Sequence, residues 1–156
     1  MKPIIKQLLR ERLLIKEEIF NYNKIKETTN GVTYSFNADG LIYIVDIYPS
    51  TSYKEYYDVS FYIKNEDYDD FQNYEERINK GVNHLNNVLQ TVSEIVERVI
   101  SDMGITKLTV RGHRDDKDSD DEESSSRAKI YARFLNKKYP NSVRINGDDI
   151  FLDIKQ

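Results

Sequence analysis

Cysteine is absent from this chain of 156 residues. Its absence excludes disulfide bonds, thiolate zinc sites and a cysteine nucleophile. Tryptophan is absent as well, so the aromatic residues are 12 tyrosines and six phenylalanines. No apolar run approaches the roughly 20 residues of a membrane-spanning helix. Charges also interrupt the first residues, MKPIIKQLLRERLL, before a secretory signal could form. We therefore expect no membrane contact.

A broad basic surface is also missing. The formal net charge is −4, and the acidic loop Asp115–Glu123 alone holds seven carboxylates and one lysine, which leaves the rest of the chain at +2. A nucleic-acid-binding domain carries clustered Lys and Arg residues, so nucleic acid is not an expected partner. The length suits a single domain with one core, residues 1–156.

Residues Pro3 to about Phe20 are predicted to form an N-terminal helix, because apolar residues recur there at helical spacing. Leu8 and Leu9 belong to this apolar pattern, and we expect them at an interface. Five cations make the helix basic: Lys2, Lys6, Arg10, Arg12 and Lys16. Asn21–Gly31 is predicted to be a polar connection, so residues 1–30 precede an α/β body that spans residues 31–156.

An antiparallel meander of three strands is predicted next. Val32–Phe36 and Leu41–Tyr48 are separated by the turn sequence Asn-Ala-Asp-Gly, and Tyr56–Lys64 alternates apolar and polar residues. Residues 65–79, NEDYDDFQNYEERIN, are acidic and aromatic and are expected to be an excursion from the sheet.

A long helix is the clearest element of the sequence. Apolar residues fall at steps of three and four from Val82 to Met103, and Gly104 is suited to the left-handed position that ends a helix. A strand over Ile105–Val110, a helix over about Ser124–Tyr139 and a C-terminal hairpin around Asn146-Gly147 complete the predicted order. Either Ser124 or Ser125 can cap the last helix. The fold class is therefore α+β.

This order resembles the N-acetyltransferase-like fold of the GNAT superfamily over roughly residues 30–154. The local similarity is best at GITKLTV and SRAKIYARFL, where Ala128 and Tyr131 fall on the spacing of that superfamily's last helix. The resemblance implies an acetyl-CoA-dependent acyltransferase, with Tyr131 as the acid that protonates a leaving thiolate. Its phosphate-binding loop would lie at Arg77–His84, where Gly81 and Asn83 would hold the pyrophosphate. That loop has one glycine instead of two, so we expect no cofactor.

The chain also resembles small uncharacterised proteins of tailed phages. The similarity lies in a Ser-Arg-x-x-x-Tyr-x-Arg-x-Leu helix after a sheet, a long apolar helix and a strand. The richness in Tyr and Asn is similar to proteins of crAss-like phages of gut bacteria. This resemblance implies a protein of the host-cell cytoplasm or of the virion.

Other candidate sites have competing interpretations. Asp116, Asp118 and Asp120 match positions 1, 3 and 5 of a calcium-binding EF-hand loop, but Asp121 and Arg127 occupy the positions that need Gly and Glu. We therefore expect no metal. His113 follows a buried strand, where crevices form in α/β sheets, but a solvent-exposed loop histidine fits as well. His84 lies on a different element. Arg127 and Arg133 suit either an anion site or a salt-bridged surface.

Aromatic residues are concentrated before the long helix, and a small sheet cannot bury all of them. Aromatic side chains left on a surface favour protein interfaces. The predicted interface residues are Tyr53, Tyr56, Tyr68, Phe71 and Tyr74, together with Leu8 and Leu9. The leading hypothesis is a non-enzymatic protein-binding or structural protein that binds a protein partner or associates with itself. The alternatives are the acyltransferase, and an inhibitor whose acidic loop mimics nucleic-acid phosphate.

Overall fold

A computed structural model describes residues 19–64, 81–112 and 123–154 of the chain. These ranges form seven strands and two helices. The strands are β1 (Tyr22–Glu27), β2 (Val32–Ala38), β3 (Leu41–Pro49), β4 (Tyr57–Ile63), β5 (Lys107–Arg111), β6 (Val143–Asn146) and β7 (Asp149–Asp153). The helices are α1 (Val82–Met103) and α2 (Ser126–Lys138). The strands form one sheet in the order β1-β2-β3-β4-β5-β7-β6. The α+β class is confirmed.

Strands β1 to β4 form an antiparallel meander. The turn between β2 and β3 has Asp39 and Gly40 at its centre, both with positive φ (53° and 90°). Two central residues with positive φ suit the type I′ turn of a tight hairpin, which explains the Asp-Gly pair in the sequence. The three predicted strands of this meander are confirmed to within two residues at each end.

The polar connection predicted over Asn21–Gly31 is wrong, because β1 occupies most of it. Five of its six residues are exposed, so the stretch has none of the alternation that marks a half-buried strand. It is an edge strand that pairs with β2 alone, and its register shifts between Lys24 and Lys26. Lysines and a bulge are common protections of an exposed edge. The hydrogen bonds to β2 make this stretch a strand.

Helix α1 packs on one face of the sheet. Its inner residues, including Val88, Ile95 and Val99, are buried against β3 residues such as Tyr43 and Val45. The helix ends at Gly104, whose φ of 67° and ψ of 29° are left-handed and whose N–H bonds to the Ile100 carbonyl. The predicted span and its glycine stop are both confirmed.

The connection through α1 makes β4 and β5 the one parallel pair among the described strands. Only three residue pairs join them, ending at Val59 and Val110. Beyond β5 the sheet continues with the predicted hairpin, in which β7 pairs with both β5 and β6. Strand β5 begins at Lys107, two residues later than the sequence predicts.

Helix α2 lies on the same face of the sheet as α1. Ala128 and Tyr131 of α2 are buried together with Leu89 of α1 and Ile150 of β7. Ser125 is the N-cap, since its side chain accepts a hydrogen bond from the Ala128 N–H. The helix ends at Lys138, close to the predicted stop.

The opposite face of β2, β3 and β4 has neither described helix on it, and we refer to it as the open face. Strand alternation assigns these side chains to the open face: Thr33, Ser35, Asn37, Ile42, Ile44, Asp46, Tyr48, Asp58, Ser60 and Tyr62. The alternate residues of the same strands form the core beneath α1.

Candidate functional site

The crevice between β4 and β5 is where an acyltransferase of the resembled type would bind its cofactor. Beyond the last pair, Val59 and Val110, the ring of Phe61 lies against the ring of Tyr131 at 5.4 Å between centroids. A cavity of about 40 Å³ remains next to them, lined by apolar side chains and Ser93. Ligand pockets are typically about 300–1,000 Å³, so this cavity is too small for a cofactor.

Tyr131 is 8% exposed and belongs to the small core beneath α2. Its position one turn after Ala128 places the ring between the helix and the sheet. The sequence allowed either this packing role or an acid at the reaction centre. The observed contacts explain the residue by packing alone, and the catalytic role stays a prediction.

The N-terminus of α1 is where Gly81 and Asn83 were predicted to hold a pyrophosphate. Gly81 is exposed, has a φ of 90° and precedes the helix without any side-chain cap. Asn83 is also exposed. A helix N-terminus attracts anions through its free N–H groups and its dipole. Arg77 and Lys80 of the predicted loop lie outside the described residues.

His84 forms a buried hydrogen-bonded chain that the sequence did not reveal. Its Nδ1 lies 2.9 Å from Asp39 Oδ2, and its Nε2 lies 2.9 Å from the Tyr43 hydroxyl. His84 is 3% exposed, and Tyr43 is fully buried. Because the Asp39 carboxylate is a hydrogen-bond acceptor, Nδ1 is the donor. The chain therefore ties the first turn of α1 to the β2–β3 turn. The sequence did contain a sign of this position. His84 lies four residues before Val88, which puts the histidine on the inner face of the helix.

The predicted interface tyrosines Tyr53 and Tyr56 lie over Phe151 of β7. Both rings meet the Phe151 ring edge-to-face, at 4.8 and 5.4 Å between centroids. The Tyr53 hydroxyl donates to Asp149 at 2.5 Å, and the Tyr56 hydroxyl donates to Asp153 at 2.8 Å. The Asp149 hydrogen bond raises the pKa of Tyr53, and burial followed by the Asp153 bond raises the pKa of Tyr56. These contacts attach the β3–β4 loop to β7. An interface role for Tyr53 and Tyr56 stays a prediction.

An exposed apolar patch lies on the open face. Ile42 and Tyr62 are each 43% exposed, and Ile44, which pairs directly with Tyr62, is buried between them. Asp46 lies beside the patch. It accepts hydrogen bonds from the Tyr62 hydroxyl at 3.1 Å and the Thr33 hydroxyl at 2.7 Å. Burial raises the pKa of Tyr62, and the Asp46 bond adds to that effect. Ile42 was not among the predicted interface residues, and Tyr62 belonged only to the wider aromatic stretch before the long helix. The alternation of β3 and β4 places both on one face.

Several predicted residues lie outside the described ranges: Leu8, Leu9, Tyr68, Phe71, Tyr74, His113 and Asp115–Glu122. The acidic-loop inhibitor and the calcium interpretation therefore stay predictions. Within residues 19–64, 81–112 and 123–154, no group of three or more His, Asp or Glu side chains could hold a metal ion. Arg127 is half-buried on α2, and Arg133 is exposed. Neither helix in the described part of the chain is long and apolar enough to span a membrane.

Comparisons with protein-family models, with curated proteins and with solved structures found no match for this chain. The functional interpretation therefore depends on the geometry of these sites.

Proposed function

We propose that this chain is a non-enzymatic protein-binding protein that uses the open face as its binding surface. The observation that carries this proposal is the exposed pair Ile42 and Tyr62. A sheet normally buries its apolar residues against another layer, and contiguous exposed apolar residues mark interaction sites. Tyr62 suits an interface particularly well, because its ring is apolar and its hydroxyl is already oriented by Asp46.

The filled crevice supports a binding function over a catalytic one. Catalysis needs a site where a substrate reaches reacting groups with room to bind. The contact between Phe61 and Tyr131 occupies this position, and the cavity of about 40 Å³ beside it is apolar apart from Ser93. The resemblance to small phage proteins supports a place in a virion or as an accessory protein in the infected host cell.

Light scattering of the purified full chain over a range of concentrations tests this proposal. We expect concentration-dependent association, which Tyr62→Lys weakens because it places a charge in the apolar patch. Arg133→Lys, on exposed α2, is the matched surface control and should associate as the wild type does. Association that is unchanged in Tyr62→Lys, or a monomer that also finds no partner in a virion proteome, contradicts the proposal.

A second candidate function is the acetyl-CoA-dependent acyltransferase of an acetyltransferase-like fold. The observation that favours it is the parallel pair β4 and β5, because the helix after each strand begins at the same edge of the sheet. Ligands of open α/β sheets bind at that edge. Gly81 would then present the uncapped end of α1 to the pyrophosphate.

A thermal-shift measurement with millimolar acetyl-CoA tests this second candidate. A ligand that binds the native state must raise its stability, by about 2.7 kcal/mol at one hundred times the dissociation constant. A cofactor-binding chain should show this rise, and Gly81→Val should remove it. An unchanged melting temperature in the wild type eliminates the acyltransferase.

A further inference from the structure

The charged side chains of the open face are all acidic. Among its outward side chains on β2, β3 and β4 there are two carboxylates, Asp46 and Asp58, and no lysine, arginine or histidine. The apolar patch of Ile42, Ile44 and Tyr62 lies in the same region. A partner that fits this face must therefore present apolar side chains together with positive charge.

The first 18 residues of the chain have that chemistry. They contain five basic and three acidic side chains, a net charge of +2, and their apolar residues recur at helical spacing. Arg12 follows Leu9 by three residues and Leu8 by four, and Lys16 follows Leu13 by three. Residues three and four apart are neighbours on a helix, so the predicted helix would carry cations beside its leucines.

The length of this segment also suits the open face. A helix of 18 residues is about 27 Å long at 1.5 Å per residue. Strands lie about 4.8 Å apart, so the three strands of the open face are roughly 10 Å wide between their outer axes. One helix can therefore cross all three strands and contact both the patch and the flanking carboxylates.

The described part of the chain begins on the α1 side of the sheet. The Phe20 N–H donates to Thr91 Oγ1 at 2.9 Å, and the Phe20 ring stacks on Phe36 at 6.1 Å between centroids. Thr91 belongs to α1 and is fully buried, and Phe36 is 2% exposed in the core beneath that helix. Phe20, the second of the described residues, therefore lies on the α1 side of the sheet, opposite the open face of the same chain.

We propose that the open face binds residues 1–18 of a second copy of this chain. This inference deepens the proposed function and rests on it, because it names the partner of the same surface. A two-fold dimer lets each copy give its segment and receive the other, which closes the assembly and uses both sites. The cations near Leu9 then face Asp46 and Asp58, while the leucines cover Ile42 and Tyr62.

Cysteine cross-linking in the full chain tests this arrangement, since the wild type has no thiol to interfere. One chain carries Ser60→Cys on the open face, and the other carries Leu9→Cys. Mild oxidation of the mixture should yield a disulfide between the two different chains. Ser101→Cys, exposed on α1, replaces Ser60→Cys in the control mixture and should remain uncross-linked. A chain that carries both Leu9→Cys and Ser60→Cys and closes the disulfide within itself at high dilution overturns the proposal.

Charge reversal gives an independent measurement. Arg12→Glu should weaken association by roughly three- to tenfold, because it places like charges opposite each other. Adding Asp58→Lys to the same chain should restore part of the association, because the two positions then again carry opposite charges. Arg133→Glu is the control for a change of charge alone. If Tyr62→Lys abolishes association but Leu9→Lys and Arg12→Glu leave it unchanged, residues 1–18 of a second copy are not the partner. The proposed function of the open face is then kept. Association that is insensitive to Tyr62→Lys overturns both.

Discussion

Ser125 should be the most important of the three consecutive serines at the start of α2. It is fully buried, and its hydroxyl makes two hydrogen bonds, donating to the Gly112 carbonyl at 2.5 Å and accepting from the Ala128 N–H at 3.1 Å. Its own N–H donates to Asp148 Oδ1 at 2.8 Å. One residue therefore connects the end of β5, the start of α2 and the β6–β7 turn.

Ser125→Ala removes the hydroxyl and leaves the backbone bond to Asp148. The lost N-cap costs about 1 kcal/mol, and the Gly112 carbonyl, buried without its donor, costs about 1–3 kcal/mol. We therefore expect the free energy of unfolding to fall by about 2–4 kcal/mol. That loss is a large fraction of the roughly 5–15 kcal/mol by which domains are stable.

Urea unfolding followed by far-ultraviolet circular dichroism measures this loss. Ser124→Ala is the matched control, because it makes the same chemical change one residue earlier. The control should stay within about 0.5 kcal/mol of the wild type, as surface substitutions usually do. Unfolding of Ser125→Ala at the wild-type urea concentration, or an equal loss of stability in Ser124→Ala, would contradict this role of Ser125.

Substitutions at three further residues test the environment of α2. Tyr131→Ala should lower the free energy of unfolding by about 3–5 kcal/mol in urea, because it enlarges a core cavity. Tyr131→Phe should be nearly neutral. A large loss of stability in Tyr131→Phe would indicate that the hydroxyl matters. Gly112→Ala should cost about 1–3 kcal/mol, since its new Cβ would lie 2.5 Å from the Ala128 Cα, and a stable variant with an unchanged melting temperature would contradict this. Burial, with the Glu97 carboxylate adding to it, raises the pKa of Tyr139 from 10.0 to about 12. The unfolded chain therefore loses this proton first, and stability falls as the pH rises from about 10 to about 12. Tyr139→Phe should flatten that part of the alkaline unfolding curve by on the order of 1–2 kcal/mol, and a curve identical to that of the wild type would exclude this cause.

The helices and tight turns of the described chain were predictable because their signals are local. Helix α1 repeats apolar residues at steps of three and four over Val82–Met103, and Gly104 then adopts the left-handed conformation that glycine tolerates best. The Asp39-Gly40 turn likewise has its conformation encoded in two residues. Such patterns depend on the neighbouring residues of the chain and on no distant contact.

The candidate site was less predictable, because its residues meet only in the folded chain. Strand β1 has no apolar alternation, and its hydrogen bonds exist only with β2. The partners of Tyr53 and Tyr56, Asp149 and Asp153, lie 96 and 97 residues away along the sequence. The exposure of Tyr62 depends on which layer covers each face of the sheet, and a single strand cannot encode that layer.

The α+β class, the approximate spans of α1 and α2 and the final hairpin were all predictable from the sequence, since helical periodicity and turn residues act over a few positions. Only the folded chain shows that Ser125 is the cap, because its hydroxyl accepts from the Ala128 N–H while it donates to the Gly112 carbonyl. The folded chain also shows that Tyr131 fills the crevice and that Ile42 and Tyr62 remain exposed. Burial and long-range hydrogen bonds set these outcomes, and both are properties of the whole packed sheet.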